Sequence, residues 1–263
     1  MIHPIKSIIS CQQGWAIKNY EKTKYSKRIK ELKDTHCGER CFIVANGPSL
    51  TSDDLDTLHK NNEYTFGMNR IFKVFPETKW RPSCYVCEDI NIFNECTKEI
   101  NTIESPVKFI PVNHHFYDSI CIDGAYYFKA NYNRKNDFPN SFSTDISKQM
   151  DSVGTVTFTC INIAVYMGFK EIYLLGVDHN YRVTIDEDGN TVVDETAKDY
   201  FCDNYDNDIK DIVVHDMGNN TRVYRKAKRA CDEIGVKIYN ATRGGKLEVF
   251  PRVDFDSLFE EKK

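Results

Sequence analysis

Six short stretches concentrate side chains able to hold an anion or move a proton. Asn46-Gly47-Pro48-Ser49 follows the apolar run Cys41-Phe42-Ile43-Val44-Ala45. Gly47 lets the backbone approach a ligand closely, Pro48 fixes the first turn of the next segment, and Ser49 offers a hydroxyl or a cap. Asn46 carries both amide donor and carbonyl acceptor, so it can bridge sugar and phosphate atoms. The same four residues also suit an ordinary turn. Gly154-Thr155-Val156-Thr157 opens a helical pattern whose first amides suit an anion, with simple helix capping as the plain alternative. Gly176-Val177-Asp178-His179 closes a second apolar run, where the glycine admits a flat base or ribose and Asp178 can read its edge. Val213-Val214-His215-Asp216 presents an imidazole able to take a proton near neutral pH, with Asp216 as a neighbour that raises its basicity. His179 is the competing base, and a structural histidine is the bland reading of either. Asn69-Arg70 and Glu88-Asp89 complete the set. Arg70 suits a carboxylate or phosphate, or a structural ion pair. Glu88 and Asp89 suit Mg²⁺ under a diphosphate chemistry, or a polar strand end.

These groups need a scaffold that delivers loops to one edge. The short apolar segments at 42–45, 64–69, 85–89, 107–112, 171–175 and 237–239 alternate with helical patterns at 18–34, 52–59, 157–167 and 219–234. Each segment ends in polar or acidic residues. This is the pattern of a Rossmann-like α/β protein with an open, mainly parallel sheet and ligands at its strand ends. Ser49 or Ser52 is the expected cap of the 52–59 helix. Residues 113–150 read as a loop-rich lid or an irregular aromatic connection, and 182–212 as a polar, acidic insertion. The expected organisation is a basic helical extension over 1–40, a catalytic domain over 41–245 and a tail over 246–263.

Composition narrows the classes. The chain has 263 residues, 41% of them hydrophobic, with 16 Phe and 15 Tyr, enough for a sizeable core. A net charge of -4 argues against broad nucleic-acid binding. Residues 1–40 are nonetheless basic, so 1–34 are expected to rest on an anionic membrane surface or to form a solvated helix. No leader or 18-residue apolar run is evident, and ten dispersed cysteines fit buried thiols in a reducing cytosol rather than a disulfide scaffold. Cys37/Cys41 and Cys84/Cys87 have loose metal-ligand spacing, but the apolar context of Cys41, Cys84 and Cys87 favours core positions. A three-glycine fingerprint and a phosphate-loop lysine are both missing, which argues against the usual nicotinamide or ATP site.

The stretches Phe42–Leu50, Thr65–Arg70 and Cys160–Asp178 together resemble the family of unknown function described as similar to the archaeal 6-hydroxymethylpterin pyrophosphokinase. More distantly, the chain is similar to the bacterial sialyltransferases of glycosyltransferase family 42. The likeness spans most of 41–240 and includes Asn240-Ala241-Thr242-Arg243-Gly244-Gly245. It implies a glycosyltransferase-A-variant-like fold and an inverting transfer of sialic acid or a related acidic sugar from a CMP donor to a glycan hydroxyl, in surface polysaccharide synthesis. Under it Asn46, Gly47 and Ser49 meet donor phosphate and sugar, Asn69 matches a binding asparagine, and Gly176-Val177-Asp178 surrounds the nucleotide base. His215 is the general base, and Tyr181 stands near the tyrosine that aids the departing phosphate. The family's arginine has no counterpart at Val153, and Thr155 or Thr157 replaces its serine. No metal or resident cofactor is expected on this reading. The expected location is the cytoplasm, free or held peripherally at the inner face of the bacterial membrane. ATP-dependent pyrophosphoryl transfer to a hydroxymethylpterin, with Mg²⁺, and non-catalytic nucleotide-sugar binding are the alternatives. Oligomeric state is left open.

Overall fold

A computed structural model describes residues 13–132, 142–152, 154–186, 189–205 and 214–260. Parts of the expected lid (133–141) and insertion (187–188 and 206–212), residues 1–12 and 261–263, and the single positions Val153 and Val213 lie outside the described residues.

The strands are β1 Arg40–Val44, β2 Thr65–Met68, β3 Cys84–Val86, β4 Val107–Pro111, β5 Tyr126–Phe128, β6 Ala130–Asn131, β7 Met150–Asp151, β8 Glu171–Leu175, β9 Val183–Ile185, β10 Thr191–Val193, β11 His215–Asp216 and β12 Lys237–Asn240. Seven of them form one sheet in the order β12-β8-β1-β2-β3-β4-β5, with every neighbouring pair parallel. The six α-helices that matter here are α1 Lys24–Lys30, α2 Ser52–Lys60, α3 Ile90–Thr102, α4 Val112–Tyr117, α5 Val156–Met167 and α6 Met217–Glu233. The protein is therefore a mixed α/β fold built on a large parallel sheet.

Burial explains why these segments read as continuous apolar runs. Cys41, Phe42, Ile43 and Val44 are all fully buried, as in a strand covered on both faces. The register places Phe42 beside Tyr173 and Tyr173 beside Tyr239. Their rings stack at 5.1 and 5.2 Å between centroids, a cross-strand aromatic row over three strands. Phe255 closes over it from the C-terminal segment, whose Leu247, Phe250 and Phe255 are buried. Cys41, Cys84 and Cys87 are core thiols, and burial pushes each thiol pKa up.

Several local expectations are corrected. The cap of α2 is Thr51, not Ser49 or Ser52. Its hydroxyl accepts from the Asp54 N–H, and Asp54 returns a bond to the Thr51 N–H. Ser49 is unavailable because its hydroxyl is drawn to Asp178. The helix expected over 18–34 is divided. A 3₁₀ turn at Tyr20–Lys22 precedes α1, and Thr23 caps the new start. Within 113–150, Tyr126–Phe128 joins the main sheet as its edge strand, so that part is neither lid nor irregular connection. The insertion contributes β9 and β10, and β9 lies between β10 and β11 in a small three-stranded sheet.

The chain winds outward from β1 through β5, then returns to place β8 on the other side of β1. The loops leaving β1 and β8 thus diverge at the switch point of the sheet, where an open crevice forms.

Candidate functional site

A cavity of about 580 Å³ opens at that crevice, a size suited to a nucleotide-scale ligand. Every site residue expected from sequence lines it except Pro48 and Ser49. The carboxyl ends of β1, β2, β3 and β8 supply Asn46-Gly47, Asn69-Arg70, Glu88-Asp89 and Gly176–Tyr181. The start of α5 supplies Gly154, Thr155 and Thr157, and the start of α6 adds His215 and Asp216.

The two switch-point loops are fastened to each other. Gly47 N–H donates to Gly176 O at 2.9 Å. The Ser49 hydroxyl donates to Asp178 Oδ2 at 2.8 Å, and the Ser49 N–H points to the same oxygen at 3.4 Å. A Cβ on Gly47 would land on Asp178 Oδ2, 2.5 Å from Gly176 O. The glycine is therefore required by the neighbouring loop, a correction to its expected role against a ligand. Ser49 and the Asp178 carboxylate are likewise occupied with one another, and the Asp178 carbonyl accepts from the Lys246 N–H at 2.7 Å. Gly176 has a φ of +68°, and a side chain there would meet Ala45 O at 2.9 Å.

The wall carries buried acceptors in need of donors. Asn46 Nδ2 donates to Met68 O at 3.1 Å, which leaves Asn46 Oδ1 without a hydrogen-bond partner among the described residues. Asn69 Oδ1 and Asn219 Oδ1 are in the same condition. Unmade hydrogen bonds of buried groups are costly, so three such oxygens around one cavity call for hydroxyl or amino groups of a ligand. Asn69 itself is held in the left-handed region, φ +51°, by its N–H on Val86 O and by the Tyr85 hydroxyl on its carbonyl.

Thr155 caps α5 by accepting from the Thr157 N–H at 3.3 Å. The helix behind it is buried along nearly its whole length. A helix start opening on a cavity favours negative charge there.

Tyr181 and His215 stack face to face, 3.7 Å between centroids and 13° between planes. Burial holds the His215 pKa below 6.5, opposed by the negative charge of Asp199. The ring is thus neutral at pH 7 and able to accept a proton. Asp216 has a different task from the one expected. Its carboxylate caps α6 through the Asn219 N–H at 2.8 Å. His179 is a poorer base, with burial pushing its pKa down to about 4. The Thr221 hydroxyl gives its only proton to Met217 O, so it accepts from His179 Nε2 at 2.8 Å.

Arg70 is fully buried, and its guanidinium is engaged by Glu95 and by Tyr205 O at 2.9 Å. It is a structural arginine that ties the 200–205 segment to β2 and α3. Asp89 caps α3 through the Asn91 N–H at 2.8 Å. Glu88 accepts from the Ser152 hydroxyl, and burial raises its pKa to about 7. Among the described residues no cluster of three His, Cys, Asp or Glu side chains is arranged to hold a metal ion. With Asp89 capping and Glu88 close to neutral, this pair does not fit the Mg²⁺ role.

Sequence reasoning missed Tyr132, Ser152, Asp199, Asn219, Asn220 and Tyr224, which also line the cavity. Asn219, Asn220 and Tyr224 had one readable signal, their place in the first turns of a helix just after His215. Tyr132 and Asp199 lie in polar segments with no motif.

These features define an α/β protein with an open parallel sheet and a polar cavity at its switch point. The chain belongs to the MptE-like family, described as 6-hydroxymethylpterin diphosphokinase MptE-like, whose model matches residues 16–184. Among solved structures, it is similar to the MAf glycosyltransferase from Magnetospirillum magneticum AMB-1, with a TM-score of 0.55 and 18% identity. That match covers 94% of this chain and 39% of the other, so the chain spans about two fifths of that protein's length. No curated protein matches in sequence. No described helix is long and apolar enough to cross a membrane.

Proposed function

We propose that the protein transfers a sugar from a nucleotide donor to a hydroxyl acceptor by a single inverting displacement. The observation that carries this reading is one cavity lined by a neutral imidazole stacked on a tyrosine, by the start of a buried helix and by three unpartnered asparagine oxygens. His215 removes the acceptor proton as the acceptor oxygen bonds to the anomeric carbon. The bond from that carbon to the donor phosphate breaks, and its electron pair leaves with the nucleotide. The positive end of the α5 dipole stabilises the phosphate, aided by the Tyr181 hydroxyl. The asparagine oxygens accept from ribose or sugar hydroxyls.

The wall also bears on donor charge. It carries Asp89, Asp178, Asp199 and Asp216, while its arginine is held by Glu95 and Tyr205. A donor of low charge suits such a wall, which favours a monophosphate-linked donor such as a CMP-sugar, and an uncharged sugar over an acidic one. The acceptor is a glycan hydroxyl, and contact of basic residues 1–34 with anionic lipid would bring the enzyme to a lipid-linked one.

Pyrophosphoryl transfer from ATP is the second reading, favoured by the family's description. It asks for divalent metal and a set of uncommitted carboxylates. Each wall carboxylate instead has one oxygen held by a protein donor: Asp89 and Asp216 as caps, Asp178 by Ser49, Glu88 by Ser152, and Asp199 by the Arg182 N–H.

A thermal-shift screen with CMP, UDP, GDP, ADP and ATP, each with and without Mg²⁺, separates the readings. Metal-independent stabilisation by CMP supports sugar transfer. Stabilisation by ATP only in the presence of Mg²⁺ would favour the diphosphokinase reading.

A further inference from the structure

The base needs more than a neutral ring, because it must carry a positive charge once it holds the acceptor proton. Asp216, the carboxylate next in sequence, is turned to its capping bond. A different carboxylate is placed for the task. Asp199 lines the same cavity as His215. Its Oδ1 accepts from the Arg182 N–H at 2.6 Å. Arg182 follows Tyr181, the residue whose ring lies on the His215 imidazole.

The backbone around Arg182 is pinned on both sides. Its N–H is bound by Asp199, and its carbonyl accepts from the Asp194 N–H at 2.8 Å. The next residues form β9, whose Thr184 pairs with His215 of β11. The sheet thus holds β9 beside β11, and Asp199 anchors the backbone between Tyr181 and β9. Asp199 Oδ2 makes no hydrogen bond among the described residues. The other titratable groups lining this cavity include Tyr181, on the ring face, His179, Asp178, Asp216, Tyr200 and Tyr224.

We propose that Asp199 is the positioning residue of His215: held by the Arg182 N–H, its carboxylate stabilises the imidazolium formed when the ring takes the acceptor proton. This rests on the sugar-transfer reading for its purpose, but the proposed coupling requires no ligand. Asp199 is not a catalytic residue in this scheme, because it acts through His215. Removing its charge leaves the cavity shape and weakens the base.

The test is a histidine-ring NMR titration of the full chain, which has seven histidines. The His215 resonance is identified by its loss in His215→Gln. In Asp199→Asn the His215 midpoint is expected to move to lower pH, its proton affinity falling about threefold or more, as loss of a nearby opposite charge requires. Asp199→Glu is expected to restore most of it, and Asp216→Asn, with its cap intact, to move it less. An unchanged midpoint in Asp199→Asn overturns the assignment. So does a larger movement in Asp216→Asn. Far-ultraviolet circular dichroism confirms that each variant is folded, and Asp199→Glu keeps the question decidable if the asparagine variant is not. These outcomes are independent of whether the protein transfers sugar, so failure of the coupling and failure of the functional reading are separable.

Discussion

Replacing Gly47 with alanine should unfold the protein at lower temperature even with no ligand present. A Cβ there would meet Asp178 Oδ2 and lie 2.5 Å from Gly176 O and 2.8 Å from Asp178 Cγ. The loops after β1 and β8 must separate to admit it. Overpacking of this kind costs about 1–3 kcal/mol. Separation also strains the Ser49–Asp178 bond, and a hydrogen bond to a charged group contributes about 1.5–3 kcal/mol. The sum, part of which relaxation recovers, is about 2–5 kcal/mol. For a chain of this size each kcal/mol moves Tm by roughly 2–4 °C, so the expected fall is on the order of 5–15 °C. Differential scanning calorimetry of ligand-free protein measures it. Ser49→Ala removes the hydroxyl without adding volume and should cost only the hydrogen-bond part of that sum, about 1.5–3 kcal/mol. A Gly47→Ala protein with unchanged Tm but lost nucleotide binding would refute the loop-to-loop argument and return Gly47 to the ligand.

The other expectations concern charge and caps. Glu88 has its pKa raised from 4.5 to about 7, so between those values the folded chain holds a proton that the unfolded chain releases. Stability must then fall as pH rises across that window. Glu88→Gln should remove this slope and gain on the wild type towards pH 8, as read by urea denaturation at several pH values; a parallel profile in both proteins would contradict the assignment. Asp216→Ala should cost about 1 kcal/mol by loss of the α6 cap, while Asp216→Asn should cost little; equal losses would show that the carboxylate does something else. Because His215 titrates below 6.5, kcat/KM should hold constant above that pH and decline on acidification. His215→Gln should lose turnover while keeping nucleotide affinity, and a variant with wild-type turnover would remove His215 from the base position.

The main features of the fold were readable because buried parallel strands leave unbroken apolar runs, and because loops at their carboxyl ends carry polar residues in small clusters. Asn46, Asn69, Glu88 and Gly176 could be gathered to one edge on that ground alone. The task of each side chain there was less legible. The partner of Arg70 is Glu95, one turn into a helix that begins far along the chain, and nothing in the sequence announces their pairing. Asp216 looked like the partner of His215 because it is adjacent, yet adjacent residues on a strand point apart and the carboxylate finds the start of α6 instead. Gly47 was rightly tied to close approach, but the approaching group is the second loop. Tyr126–Phe128 is too short to show a period, and only the open edge of β4 makes it a strand.

Sugar transfer at this site requires the loops after β1 and β8 and the start of α5 to hold a single nucleotide. A crystal structure of the protein soaked with whichever nucleotide raises its Tm most would examine this without intermediaries. The phosphate is expected at the first amides of α5, with ribose or base hydrogen-bonded to Asn46 and Asn69 and the sugar side of the phosphate facing His215. A nucleotide bound elsewhere, or in the cavity with its phosphate turned away from α5, would rule the arrangement out.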